Sequence, residues 1–329
     1  MRRNQFKNGF RRRGARRIGN RSILVRVLLL SSAFLFLISA ILLVRYLIMT
    51  VHTKNLSQEL KEQYYSASSL PLITEALEVD IALPRVSYSP VPTITTKSLL
   101  GLAATQIPIT NQPRNTPEPA MLDSFVQLYK TNRDVVGWLK SSAIPELDFP
   151  VTHRDNVFYL THDFYGRKSA SGTVFLDQAC LILPRSENLI LHGHNMKNGT
   201  MFGKLKNFMD ETTFKKDPIM SYTTLYQQEQ YVPFAVSLIS VDPKDYNYLP
   251  LISPDFKTDE KREAYINQLT AYSVYSLPID VLLGDELLTL ATCHGDEDSE
   301  RLVIGLRKVR FYENADELAE NIREKMIVH

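Results

Sequence analysis

Residues 27–44 read VLLLSSAFLFLISAILLV, eighteen positions without a charge. At about 1.5 Å per residue, a helix of that length covers roughly 27 Å, close to the hydrocarbon core of a bilayer. Arg45 interrupts the run, and Tyr46, Leu47, Ile48 and Met49 continue its apolar character. Arg26 and Arg45 can keep their stems in the apolar layer and reach the two interfaces with their heads. Residues 1–26 hold nine Arg and one Lys and no acid. Basic flanks stay on the cytoplasmic side, so the expected topology is single-pass, with the N-terminus cytoplasmic and the rest of the chain outside. A cleaved signal peptide is the alternative, but the run is long for one and no clear small-x-small site comes after it. A basic cluster can also bind nucleic acid. Directly against a span it reads instead as topology and contact with anionic membrane lipid, so no nucleic acid partner is expected.

Those ten cations hide the charge of the rest of the chain. The whole chain carries +2, so residues 27–329 carry 2 − 10 = −8. Residues 50–117 then form a different text. Eight of the 17 prolines fall between Pro71 and Pro119, among Ser, Thr and short apolar pieces. Such composition favours extended backbone and suits a spacer. Residues 58–65 can continue a helix out of the membrane. The expected organisation is a basic tail over 1–26, a transmembrane anchor over 27–49, an extended stalk over 50–117 and a folded domain over 118–329.

Within that domain, residues 119–129 (PAMLDSFVQLY) carry apolar positions at helical spacing. Strands are expected over 135–139, with the only Trp, and over 147–152, 172–176, 189–192, 231–241, 287–292 and 302–306. Helices are expected over 201–209, 261–275 and 314–326. Many short strands with a few inserted helices suggest a β-barrel or sandwich. There is no Gly-rich phosphate loop and no zinc motif, and two cysteines make no disulfide framework. A Cys180–Cys293 bridge stays open as an alternative outside the cell. Neither a metal nor a cofactor is expected.

The chemistry concentrates in residues 287–306, LLTLATCHGDEDSERLVIGL. A short buried strand ends in Cys293, a polar loop comes next, and Arg301 opens a second apolar run. A thiol at a rigid strand end is placed for attack, and a nearby guanidinium can stabilise the oxygen that becomes negative. Taken alone, Cys293 reads more readily as a small core hydrophobe and Arg301 as a surface charge. A second strand, residues 189–192, runs into Gly193 and His194, 99 positions before Cys293. A Cys with a distant His is the usual arrangement of a thiol acyl-transfer enzyme.

GHNMKNGTMFGKL, the run TLATC, and an Arg eight residues after the Cys opening RLVIG together resemble a class B sortase. NRDVVGWLK, FPVTHRDNVFYLTHDFYGRKSASGTVFLD and NLILHGHNM resemble further segments of that family, and the likeness covers residues 119–329. The resemblance implies a closed eight-stranded β-barrel with peripheral helices, mainly β, preceded here by one transmembrane helix. It implies a cysteine transpeptidase that cuts a C-terminal sorting signal of secreted proteins after a Thr. The new carboxyl is held as a thioester and passed to an amine of peptidoglycan precursor or a pilin lysine. His194, Cys293 and Arg301 stand at the family's three catalytic positions. Asn195, Thr292 and His294 adjoin them and are the expected contacts to the bound peptide. His192 stands where the family more often has an aromatic, and with His294 it reads as part of the site wall. Asp296, Glu297, Asp298 and Glu300 read as a solvated loop face, with tuning of His194 or cation binding as the alternative. A thiol peptidase that hands the acyl group to water, or a non-catalytic surface or pilus-assembly module, would be the rival functions. Cys180 has no role in this reading.

Overall fold

The computed structural model describes residues 17–68, 119–250, 254–293 and 300–329. Helix α1 (Arg17–Ser68) is continuous over 52 residues, about 78 Å at 1.5 Å per residue. Its apolar positions from Leu24 to Ile48 are largely exposed, including Leu30 and Phe36 at more than 70%. Such a surface is unfavourable in water and suits hydrocarbon. By length and composition this is the one helix among the described residues fit to cross a membrane.

The stalk expected from residue 50 does not begin there, because residues 50–68 remain helical. The reason is physical. No proline precedes Pro71 in the chain. Leu56, Leu60 and Tyr64, four residues apart, form a stripe on one helix face. That stripe packs with Phe125 and Leu128 of α2 (Asp123–Thr131) and with Val135 and Trp138 of the first strand. Residues 69–118, the proline-rich remainder of the expected stalk, lie outside the described residues, as do residues 1–16.

The barrel strands are β1 (Val135–Ser141), β2 (Asp148–His153), β3 (Phe175–Leu176), β4 (Asn188–His194), β5 (Met220–Thr224) and β6 (Gln228–Ser240). After α3 (Glu211–Lys216) and α4 (Asp259–Ala271), strand β7 (Tyr275–Ser276) stands apart from the barrel. β8 (Leu287–Cys293) and β9 (Glu300–Lys308) complete it, and α5 (Ala315–Lys325) leads to β10 (Ile327–Val328), which pairs with β7. Around the closed barrel the order is β1-β2-β3-β4-β8-β9-β6-β5. Closure leaves no open sheet edge. The expected mainly β fold, a closed eight-stranded barrel with peripheral helices, is what forms.

One element differs from expectation: β5, MSYTT, is too polar to read as a strand, yet it pairs with both β1 and β6. The helix expected over 201–209 forms over Phe202–Met209, with 3-10 geometry. Gly203 explains how tightly that turn is held, since a Cβ there would come 2.1 Å from the Met196 carbonyl oxygen.

The parallel pairing of β4 with β8 matters most for function. Residue for residue it runs from Asn188 opposite Leu287 to His194 opposite Cys293. Parallel neighbours need a long crossover, here residues 195–286, and their like ends share one rim.

Candidate functional site

Leu189, Ile190 and Leu191 are fully buried in the barrel core, which fixes β4 rigidly up to its end. At Gly193 a Cβ would lie 2.7 Å from the Phe202 ring and 3.0 Å from Val174. Glycine there lets the helix after the strand close against its end. His194 then finishes the strand. Its Nε2–H donates to the Leu160 carbonyl oxygen at 2.7 Å. A carbonyl only accepts, so this bond puts the proton of the neutral ring on Nε2 and leaves Nδ1 as the basic atom. Leu160 is itself held, because Asp155 Oδ1 accepts from the Val157 and Phe158 backbone N–H groups at 2.8 and 2.6 Å. Those two amides hold the Asp155 carboxyl below the usual carboxylate range.

Cys293 ends β8 with its backbone opposite His194. Adjacent strands lie about 4.8 Å apart, so the two backbones are neighbours at the rim. β9 runs antiparallel to β8, and the last pair in register is Ala291 with Val303. Two residues further on each strand stand Cys293 and Arg301. Three consecutive strands, β4, β8 and β9, therefore carry His194, Cys293 and Arg301 at one end of the barrel. On its other side Arg301 pairs with Ile239 of β6, and its Nη1 donates to the Glu300 carbonyl at 3.2 Å.

The expected peptide contacts divide. Asn195 is exposed at the rim, and its backbone bridges to Met201. Thr292 is 3% exposed. Its Oγ1 accepts from the Leu302 N–H at 3.1 Å and donates to the Leu302 carbonyl at 3.4 Å. That hydroxyl ties β8 to β9. His294 lies outside the described residues, with Asp296, Glu297 and Asp298. Among the described residues no group of three His, Cys, Asp or Glu is arranged to hold a metal.

His192, expected in the site wall, has a partner the sequence did not suggest. Its Nε2 lies 3.0 Å from Asp177 Oδ2. The same oxygen accepts from Asn156 Nδ2 at 2.9 Å, and Oδ1 accepts from the Ala179 N–H at 2.9 Å. Burial pushes the Asp177 carboxyl up, but His192, Ala179 and Asn156 together hold it below its ordinary value. The segment FPVTHRDNVFYLTHDFYGRKSASGTVFLD contains Asn156 and Asp177 but gives neither a role, because their link to His192 exists only through the fold. Cys180 is free and fully buried, so the alternative disulfide does not form. Its thiol accepts from the Ile190 N–H at 3.4 Å, and burial pushes it up to about 12.

A closed barrel that sets a Cys and a His at the like ends of two parallel strands is the frame of a thiol acyl-transfer enzyme. The chain belongs to the sortase family, whose Sortase domain matches residues 143–309. Within that family it is a class B sortase, a cysteine transpeptidase. It is 31% identical to Sortase B of Listeria monocytogenes over 180 residues, covering 54% of this chain and 70% of that protein. Over 183 residues it is 30% identical to Sortase B of Staphylococcus aureus, covering 55% of this chain and 72% of that one. Among solved structures, the Staphylococcus aureus sortase B–substrate complex superposes with a TM-score of 0.53 at 27% identity, covering 58% of this chain and 87% of that chain. Sortase B from Bacillus anthracis superposes at the same TM-score of 0.53 and 27% identity, covering 59% and 86%.

Proposed function

We propose that this sortase is held in the membrane by α1 with its N-terminus cytoplasmic and its barrel outside the cell. There it cleaves the C-terminal sorting signal of secreted proteins and transfers the new carboxyl to an amine of cell-wall precursor, or to a pilin lysine. Cys293 attacks the scissile carbonyl as thiolate and forms the thioester. His194 protonates the leaving amine and later takes a proton from the attacking amine, using Nδ1 while Leu160 keeps Nε2. Arg301, charged at all relevant pH, donates to the oxyanion or to the backbone of the signal.

The observation that carries this reading is the register of β4 and β8, which sets His194 opposite Cys293. The topology is supported by ten cations before the span and a net −8 over residues 27–329. The test is turnover of a library of sorting peptides, with and without candidate amines. Cys293→Ala should form no thioester, and Arg301→Lys should lose roughly 10²–10³ in rate, because a point charge cannot replace the planar fork. Thioester formation by Cys293→Ala would remove Cys293 from the nucleophile role. Release of free acid alone, unchanged by any amine, would favour hydrolysis over transfer.

A further inference from the structure

Helix α1 leaves the apolar span and meets the barrel almost at once. Met49 is the last apolar residue of the span. One residue on, Thr50 Oγ1 accepts from Asn198 Nδ2 at 3.2 Å. Thr53 Oγ1 lies 3.1 Å from Ser171 Oγ, and His52 Nε2 lies 3.9 Å from Asp163 Oδ2. Asn198 belongs to the loop after His194, so the part of the barrel pinned at residues 50–53 adjoins the catalytic rim. The polar layer on each side of the hydrocarbon is about 5–8 Å deep. Five residues of helix rise about 7.5 Å, which sets Lys54 within that layer.

Between α1 and the loop after His194 lies an open crevice of about 400 Å³. Its walls include Thr53, Lys54, Ser57, Asn198, Thr200 and Lys204. Lys54 and Lys204 have no carboxylate partner among the described residues. Lys61, further up the helix, is already committed to Asp148 at 3.3 Å. Glu146 is the one acid lining the crevice, and it is exposed. The loop and the helix after it, residues 195–206, carry Lys197, Lys204 and Lys206 and no acid, in a chain that is otherwise −8 past its N-terminal tail. Two unpaired ammonium groups flanked by hydroxyls, opening at headgroup height, match a phosphodiester. The volume holds roughly a dozen waters at about 30 Å³ each, more than one phosphate displaces.

We propose that this crevice binds the phosphate of an anionic phospholipid headgroup from the membrane that α1 crosses, and so locks the His194 rim against the bilayer surface. The proposal rests on the membrane-anchored reading of α1. A lipid held there fixes the height at which the site operates, which suits an amine acceptor carried by the membrane rather than one free in solution.

The experiment uses the full chain in nanodiscs of phosphatidylcholine, with and without phosphatidylglycerol. Lysine acylation is tracked residue by residue by mass spectrometry. Phosphatidylglycerol should slow labelling of Lys54 and Lys204 several-fold, while Lys197, outside the crevice on the same loop, and Lys244, exposed elsewhere, change little. The double variant Lys54→Gln with Lys204→Gln should lose the rise in unfolding temperature that phosphatidylglycerol gives the parent. Equal labelling in both discs overturns the site, and so does equal slowing at Lys197, which would mean diffuse surface potential. Slowing by inorganic phosphate in phosphatidylcholine discs would assign the crevice to a soluble anion and overturn the lipid. Release of the chain from both discs by alkaline carbonate would instead show that the anchor itself fails, a separate outcome from loss of lysine protection in a retained chain.

Discussion

The Tyr64 ring lies parallel to the Trp138 indole, with centroids 4.2 Å apart and planes 10° from each other. One ring belongs to the helix that leaves the apolar span, the other to the first strand of the barrel. Around them Asp148 gathers Trp138 Nε1 at 2.7 Å, Tyr65 Oη at 2.9 Å and Lys61 Nζ at 3.3 Å. Helix α1 is therefore part of the domain's packing.

Tyr64→Ala should consequently destabilise the barrel. Tyr64 is 8% exposed, and truncating a buried aromatic costs about 3–5 kcal/mol. Tyr64→Phe keeps the stacked ring and should lose far less. Denaturant unfolding of the two variants in the same detergent measures the difference. Equal stability of Tyr64→Ala and the parent would mean that the helix does not dock.

The same docking shows which parts of the molecule were legible in sequence. The apolar span, the strand of Trp138 and the two strands that end in His194 and Cys293 announced themselves through uninterrupted apolar runs bounded by polar turns. The stripe of Leu56, Leu60 and Tyr64 did not, because it lies beside a proline-rich stretch whose composition masks it. β5 was hidden by its polar residues, which are carried by pairing on both sides. His194, Cys293 and Arg301 could be named from local motifs. Their meeting at one rim depends on the parallel register of β4 and β8, which no local pattern encodes. Asp177 and Leu160, which hold His192 and His194, were invisible for the same reason: they come from segments whose proximity to β4 is created only by the barrel.

Asp177 gives a prediction with a definite sign. Burial raises its carboxyl, and His192, Ala179 and Asn156 more than reverse that, so the folded value lies below the unfolded one. A group of this kind contributes stability above its unfolded pKa of about 3.9 and loses it as pH falls through the lower folded value. Asp177→Asn should flatten the acid side of the stability profile and cost about 1–3 kcal/mol near neutrality, where His192 loses its charged partner. Thermal unfolding from neutral to acid pH measures both effects. A variant whose acid limb coincides with the parent's would contradict the assignment.

The two cysteines should separate cleanly in reactivity. Cys180 is fully buried with a thiol raised to about 12, so near pH 8 it carries almost no thiolate and no reagent reaches it. A small alkylating reagent should therefore label one equivalent rapidly in the native chain, and Cys293→Ala should abolish that phase. The second equivalent should appear only with denaturant. Rapid native labelling that persists in Cys293→Ala would place the reactive thiol at Cys180.

Thr292 separates a positioning role from a contact role. Directly before Cys293 on β8, its hydroxyl exchanges hydrogen bonds with the backbone of Leu302, the residue directly after Arg301 on β9. Thr292→Val keeps the shape but leaves a buried N–H without its partner, at a cost of about 1–3 kcal/mol. Because β9 then loses its tie just below the rim, Arg301 should be held less well and kcat should fall more than KM rises. Thr292→Ser restores the hydroxyl and should recover both stability and kcat. If Thr292 met the peptide instead, Thr292→Val would raise KM while leaving the unfolding temperature unchanged. Steady-state kinetics beside thermal unfolding of the two variants distinguishes these outcomes, since only a strand tie moves stability and kcat together.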